Sequence, residues 1–395
     1  MKSHIILLML ILISPNLQSK DIIILEEDEA NLLIGIISIS INNDNTKLLI
    51  TNRSQKNVIL YEAETGKIIN TFVVNQNLSD SLANCNKKPF NYENKEWIFT
   101  DAIKLKEQYN IDKTKNNYLT NQFFDAFFDK NNKIVISALL TTYILELNSY
   151  KTLISGSSSI LSCDDSLNLE SVVIIENTKN GFSRKILGVS DNVLYIQLFK
   201  DRRTSATDQP SIAIYDHNGF YVKKYIPLPD FYTQKKTWST IFNSTPYLTL
   251  NDDSLIYIYP YDNKIQFGYS KKTIKLKNIE IDNLLHYEKV EEFLNSDPDV
   301  LKKVEYFPVQ VNNIFSNKNY IFLFLSLKID KNTRYQLMQK YNINSGKLLN
   351  EGKVNNIIRF QPFTMSKDCK YIYTTALEDE NYVVRKHEVE SLWEK

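Results

Sequence analysis

The chain has 395 residues with 47 basic and 46 acidic side chains, and a net charge of +1 leaves no global field for nucleic acid or an anionic membrane. Hydrophobic residues make up 43% and aromatics 12%, including 24 Tyr and 20 Phe, which excludes a disordered chain and suits pleated, half-buried strands. Only 9 Gly and 10 Pro exclude collagen-like or low-complexity classes.

Residues 1–19 read as a secretory signal, leaving 20–395 as one domain of a secreted or periplasmic protein. Lys2 gives a basic start, Ile5 to Ile13 form an unbroken apolar run, and Ser14-Pro15 end it. Such a run is too short to span a bilayer as a mature helix. Leu17 sits where a smaller residue is preferred, so the cleavage point is not fixed. No later run approaches the length of a membrane span, and no Cys follows the signal to take a lipid. Three cysteines, Cys85, Cys163 and Cys369, show no C-x-x-C spacing, and a fold this large does not depend on disulfides.

The apolar stretch Asp21 to Glu26, with Ile-Ile-Ile-Leu at its heart, precedes the first repeat. Beyond it, a polar turn hands over to an alternating apolar strand six times: INNDNTKLLIT from Ile41, DKNNKIVIS from Asp129, SDNVLYIQL from Ser190, NDDSLIYIY from Asn251, SNKNYIFLF from Ser316 and SKDCKYIYT from Ser366. Strand pairs repeated at this spacing indicate a β-propeller, in which each unit buries its faces against its neighbours.

The clearest unit runs from Ile36 to Val74. Ile36–Ile41 form a first strand, Leu48–Thr51 a second, Val58–Tyr61 a third and Ile68–Val74 a fourth, which makes one blade. Its third-to-fourth turn recurs at Tyr61 to Gly66, Tyr215 to Gly219 and Tyr341 to Gly346, where glycine accepts the positive φ of a tight hairpin. The stretch LLITNRSQKNVILYEAETGKIINTFVV, Leu48 to Val74, resembles the YVTN family of β-propeller repeats, and more distantly WD40 and TolB-like blades. The other blades match in outline only. The Gly-His and Trp-Asp pairs of WD40 repeats are absent, as is the tryptophan that follows this turn in quinone-binding propellers. The resemblance to lactonase propellers implies an alternative activity, hydrolysis at the central channel mouth.

Second strands starting near Leu48, Ile134, Val193, Leu255, Tyr320 and Tyr371 predict an all-β propeller of six blades. The last, Phe363 to Glu390, lacks a fourth strand, and Asp21–Glu26 is predicted to supply it and close the ring. Ser158–Lys185 is long enough to hold a seventh blade.

Propeller topology places first-to-second and third-to-fourth turns on one rim, and the remaining connections on the other. The first set is uniformly short. The surplus lies in 75–120, 282–307, Lys200–Pro210 and Ile329–Arg334, all on the second rim, which marks it as the binding face. Two short helices are predicted within 282–307, where Asp297-Pro298-Asp299 fits a helix start and Tyr287, Val290 and Leu294 share a stripe. Within 75–120, Trp97, Ile98, Phe99 and a predicted helix from Asp101 to Tyr109 could form a lid. Arg53, Arg202, Arg203 and Arg334 fall in second-to-third loops of this face and are the candidate binding residues, since guanidinium forks suit carboxylates and acidic partner surfaces. Glu378, Asp379 and Glu380 occupy the equivalent loop of blade six.

His217, His286 and His387 share no metal-ligand spacing, and no G-x-S-x-G elbow or phosphate-binding glycine pattern occurs. Asn42–Asn45 and Asp129–Asn132 lack calcium-loop spacing and read as ordinary Asn/Asp turns. No metal or cofactor is expected. Sequons stand at Asn52, Asn77 and Asn243. The reading is an exported propeller that binds a protein partner through its long-loop face, with no nucleic acid and no membrane span.

Overall fold

Among the described residues, twenty-four strands form six antiparallel four-stranded sheets. The computed structural model describes residues 22–28, 33–52, 57–73, 117–146, 151–175, 182–190, 193–199, 210–227, 246–251, 254–260, 262–268, 270–277, 309–328, 334–354 and 362–393. Blade one is β2 (Ile36–Ile41), β3 (Lys47–Asn52), β4 (Asn57–Glu62) and β5 (Ile68–Val73). Blade two is β6 (Asn117–Phe128), β7 (Ile134–Glu146), β8 (Lys151–Cys163) and β9 (Leu169–Ile174). Blade three is β10 (Phe182–Val189), β11 (Leu194–Phe199), β12 (Pro210–Tyr215) and β13 (Tyr221–Pro227). Blade four is β14 (Tyr247–Asn251), β15 (Ser254–Ile258), β16 (Lys264–Phe267) and β17 (Thr273–Lys275). Blade five is β18 (Val309–Ser316), β19 (Tyr320–Lys328), β20 (Arg334–Asn342) and β21 (Leu348–Lys353).

Blade six combines the two ends of the chain. β22 (Phe363–Met365), β23 (Tyr371–Glu378) and β24 (Asn381–Glu388) are completed by β1 (Ile22–Ile24), which pairs Ile22 with Arg385, Ile23 with Val384 and Ile24 with Val383. The N-terminal strand thus closes the ring, as the run of isoleucines predicts. The described part of Ser158–Lys185 supplies the end of β8, all of β9 and the start of β10, with the turn between β8 and β9, so it adds no seventh blade. The last four residues of the expected insertion at 75–120 belong to β6, which begins at Asn117. The helices expected within 75–120 and 282–307 lie outside the described residues. Among those residues the helix present is one 3₁₀ turn, Val389–Leu392.

The core is divided into six seams, one between each pair of neighbouring blades. Leu49, Val58 and Leu60 of blade one meet Ala126, Ile134 and Ile136 of blade two. Val135 and Ile160 meet Ile186 and Leu194 between blades two and three. Ile212 and Ile214 meet Leu255 and Tyr257 at the third seam. Ile256 and Ile265 meet Leu323 and Leu325 at the fourth. At the fifth, Phe322 and Phe324 meet Met365 and Ile372, with Phe363 lying edge-on to Phe324. The sixth joins Ile39, Ile50 and Ile59 of blade one to Ile23, Tyr373 and Val384 of blade six. Alternation sends successive residues of each strand to opposite seams, so every middle strand is apolar on both faces. A truncation such as Leu60→Ala would leave a cavity costing about 2–5 kcal/mol.

The polar turns explain themselves by side-chain-to-backbone bonding. Asn42 Oδ1 accepts from Thr46 and Lys47 N–H at 2.8 and 2.9 Å, and Asp129 Oδ1 accepts from Asn131 and Lys133 N–H at 2.7 and 2.9 Å. Asn317, Asp164, Asp216 and Ser366 do the same in their turns. These oxygens are occupied by their own backbone, as ordinary turn chemistry requires.

Candidate functional site

The first-to-second and third-to-fourth turns lie on one rim, and none between described strands exceeds five residues. They also clasp one another. Asn43 N–H donates to Asn132 Oδ1 at 2.9 Å and its amide to Lys130 O at 2.9 Å. Lys47 pairs with Asp165 at 2.9 Å, Lys272 donates to Ile343 O at 2.8 Å, and Asn317 donates to Asp368 O at 3.1 Å. His217 Nε2 sits 2.9 Å from Ser190 O. Much of the polar chemistry of this rim is spent on holding the blades in register.

The remaining connections, 25–35, 53–56, 74–116, 147–150, 175–181, 200–209, 228–246, 259–263, 276–308, 329–333, 354–362 and 379–380, join strand ends at the opposite rim. The stretch 228–246, between blades three and four, belongs with the long connections and was not singled out by the sequence. Arg53, Arg202 and Arg203 lie outside the described residues. Arg334 is not in a loop: it is the first residue of β20, opposite Lys328, because the ladder extends to the end of β19. Glu378 closes β23 and pairs with Arg385 at 2.6 Å, and that hydrogen bond holds its carboxyl below the usual range. Asp379 and Glu380 form a two-residue turn in which both backbones are left-handed, at φ 47° and 69°.

The innermost strands carry a feature the sequence did not reveal. Blades one, two and five each place a β-bulge five residues before the first turn, at Ile37, Phe124 and Asn312. A bulge bends the strand and re-aims side chains near a rim. It shifts the alternation by one residue, but two adjacent apolar residues such as Ile36-Ile37 do not by themselves mark a bulge, so the register discloses it. Beside the bulges lie neutral polar groups: Ser38 Oγ donates to Thr51 Oγ1 at 2.9 Å, and Asn312 Nδ2 donates to Gln336 Oε1 at 2.7 Å. Thr249 and Ser316 hydroxyls meet at 3.0 Å between blades four and five. Asp125 is the one carboxylate among the described residues of the six innermost strands.

One further acidic group stands at the loop-face end of blade four. Tyr257 hydroxyl donates to Gln266 Oε1 at 2.8 Å, and Gln266 Nε2 donates to Asp262 Oδ2 at 3.1 Å. Burial holds the Asp262 carboxyl above its ordinary value, against the lowering effect of its hydrogen bonds from Gln266 and the Asn263 and Lys264 backbone. Among the described residues no three His, Cys, Asp or Glu side chains gather in metal-binding geometry. His387 contacts Thr374 Oγ1 at 3.3 Å within blade six, and His286 lies outside the described residues. Asn52 is fully buried, so its sequon offers no acceptor on the surface. No described helix is long and apolar enough to cross a membrane.

No protein-family model matches the chain, and no curated protein matches it. Solved structures match over most of its length. A Bacteroides fragilis protein assigned as exported gives a TM-score of 0.49 at 10% identity, covering 93% of this chain and 94% of its own. A second Bacteroides fragilis protein, assigned as a 6-phosphogluconolactonase, gives 0.39 at 11% identity, covering 93% and 83%. The WD40 domain of SCAP from fission yeast gives 0.32 at 11% identity, covering 93% and 76%. The six-bladed β-propeller itself rests on the strand order and the six seams described above.

Proposed function

We propose that this chain is an exported β-propeller, of the YVTN-like kind its first blade resembles, that binds a protein partner through its long-loop rim. One observation carries the reading: the turns of one rim are short and bonded to each other, whereas the surplus chain is attached at the other. A ring of interlocked blades is a rigid platform, and loops anchored on its free rim vary without disturbing the core. The innermost strands support binding over catalysis, since their described residues bring a single carboxylate, Asp125, and hydroxyls and amides that bond one another. Arg53, Arg202, Arg203 and Arg334 are the proposed contacts to acidic groups of that partner. The test is affinity capture from the native extracellular or periplasmic milieu, read by mass spectrometry. The parent should retain a partner that the fourfold Arg→Ala variant loses, while substitutions at Asn43 and Lys272 on the short rim leave capture unchanged. Equal capture by parent and fourfold variant refutes the arginine assignment.

A second reading, a lactonase-type hydrolase, is favoured by Asp262 alone, whose carboxyl is held high beside Tyr257 and Gln266. It predicts lactone hydrolysis that Asp262→Asn abolishes.

A further inference from the structure

Two seams of the ring can be compared residue by residue. In each, the fourth strand of one blade crosses the third-to-fourth turn of the next: Ile274 packs on Gly346 of blade five, and Ile23 and Ile24 pack on Gly66 of blade one. Tyr341 and Tyr61 stand five residues before those glycines, both fully buried. At the seam of blades four and five the network is complete. Tyr341 hydroxyl donates to Gln339 Oε1 at 2.7 Å and accepts from Lys277 N–H at 3.1 Å. Gln339 Nε2 donates to Lys277 O at 3.1 Å and to Glu351 at 2.5 Å.

At the seam of blades six and one the central residue is missing. Ile59 stands where blade five has Gln339, and Thr71 where it has Glu351. Tyr61 hydroxyl and Thr71 Oγ1 are buried without a hydrogen-bond partner, and so are both amide atoms of Asn57, which stands where blade five has the apolar Leu337. Strand alternation places Asn57, Ile59 and Tyr61 on one face of blade one, with Thr71 opposite Ile59. It is the face turned toward blade six. Such groups are costly while dry and regain hydrogen bonds on hydration, so opening this seam is favoured in a way that opening the other is not.

Blade six, on one side of this seam, has no covalent turn between its third and fourth strands. β1 reaches blade six through its three paired residues and the bond from Leu25 N–H to Tyr382 O at 2.9 Å. Glu26 N–H then donates to Gly66 O at 2.8 Å. Only Ile23 of the strand is buried, while Ile22 and Ile24 are 41% and 60% exposed. β17 instead turns Thr273 and Lys275 outward, the charged edge that natural sheets use against stray pairing.

We propose that β1 is a detachable closing strand, and that the outer edge of β24 with the facing side of blade one forms a binding site for an extended segment of a partner polypeptide. The segment fits by main-chain pairing with Val383 to Arg385, an aliphatic side chain in the place of Ile23, and hydroxyl or amide side chains toward Asn57, Tyr61 and Thr71. The absence of a side chain at Gly66 lets the backbone carbonyl of an incoming strand take the place of the Ile24 carbonyl. The site is separate from the long-loop rim and does not depend on that reading.

Hydrogen exchange on the full chain should show the Ile23–Leu25 amides exchanging at least ten-fold faster than Ile274–Leu276. A labelled synthetic peptide of the sequence DIIILEED is the probe. It should bind the parent, be excluded from an oxidised Ile22→Cys/Arg385→Cys variant stapled across β1 and β24, and bind again after reduction. Ile59→Gln, which restores the missing link, should slow exchange and weaken uptake. Equal protection of the two strands, or equal uptake by stapled and reduced protein, would overturn the proposal. Capture through the loop rim is indifferent to the staple, so the two readings fail separately.

Discussion

The backbone of Gly66 lies directly beneath the carbonyl of Ile24, so that a methyl group on Gly66 would overlap that oxygen. Gly66 also has φ +70°, where L-residues are strained. Gly66→Ala therefore meets two penalties, and about 2–4 kcal/mol of destabilisation is expected. Gly346→Ala, with φ +66° but only the flexible Ile274 side chain above it, should cost about 1–2 kcal/mol. Denaturant midpoints of the two variants give the comparison, and equal losses would show that the N-terminal strand is not seated on Gly66.

Removing a hydroxyl should have opposite consequences in blades one and five. Tyr341→Phe breaks the bonds to Gln339 and Lys277 and leaves both groups unpaired, costing about 1–3 kcal/mol. Tyr61→Phe removes a buried hydroxyl that has no partner, so stability should hold or rise by up to about 1 kcal/mol. Thermal unfolding of the pair decides it. Similar losses in both would mean that Tyr61 is bonded in solution.

The Asp379-Glu380 turn holds two non-glycine residues at positive φ. Hairpins of this form prefer Asn-Gly or Asp-Gly. Glu380→Gly should stabilise the protein by roughly 1 kcal/mol, the strain it relieves less the entropy glycine loses. A lowered melting temperature would show that the Glu380 side chain makes a contact of greater worth.

Burial pushes the thiols of Cys163 and Cys369 up to about 12, with neighbouring Asp164 and Asp368 adding to the rise. The unfolded thiol titrates near pH 8.5. Because the folded value is the higher, the stabilising contribution is fully present below the unfolded value and is lost as pH rises toward about 12. Native protein at pH 8 should leave both thiols unreacted with a thiol reagent. Cys163→Ala/Cys369→Ala should show a shallower fall in denaturant midpoint between pH 8.5 and 10 than the parent. An unchanged slope would mean that these thiols do not govern the alkaline loss.

Blade count, ring closure and the division into a short and a long rim were legible in the sequence. Each follows from local chemistry: Asn and Asp oxygens that bond their own turns, glycines at positive φ, and an orphan run of isoleucines beside a blade short of one strand. The bulges at Ile37, Phe124 and Asn312 were not legible, since a one-residue shift in a short, largely apolar strand cannot be told from ordinary variation in its alternation. Nor was the end of the insertion before Asn117, because NYLTNQFF alternates too weakly to be told from loop.

Amino-acid order alone determined which segments become strands and how they turn, because hydrogen bonds within a few residues and a period of two settle both. Only the folded ring decided which of two look-alike tyrosines is satisfied. That depends on a residue two positions along the strand, a partner opposite it and a strand arriving from the far end of the chain, three distances that sequence does not encode locally.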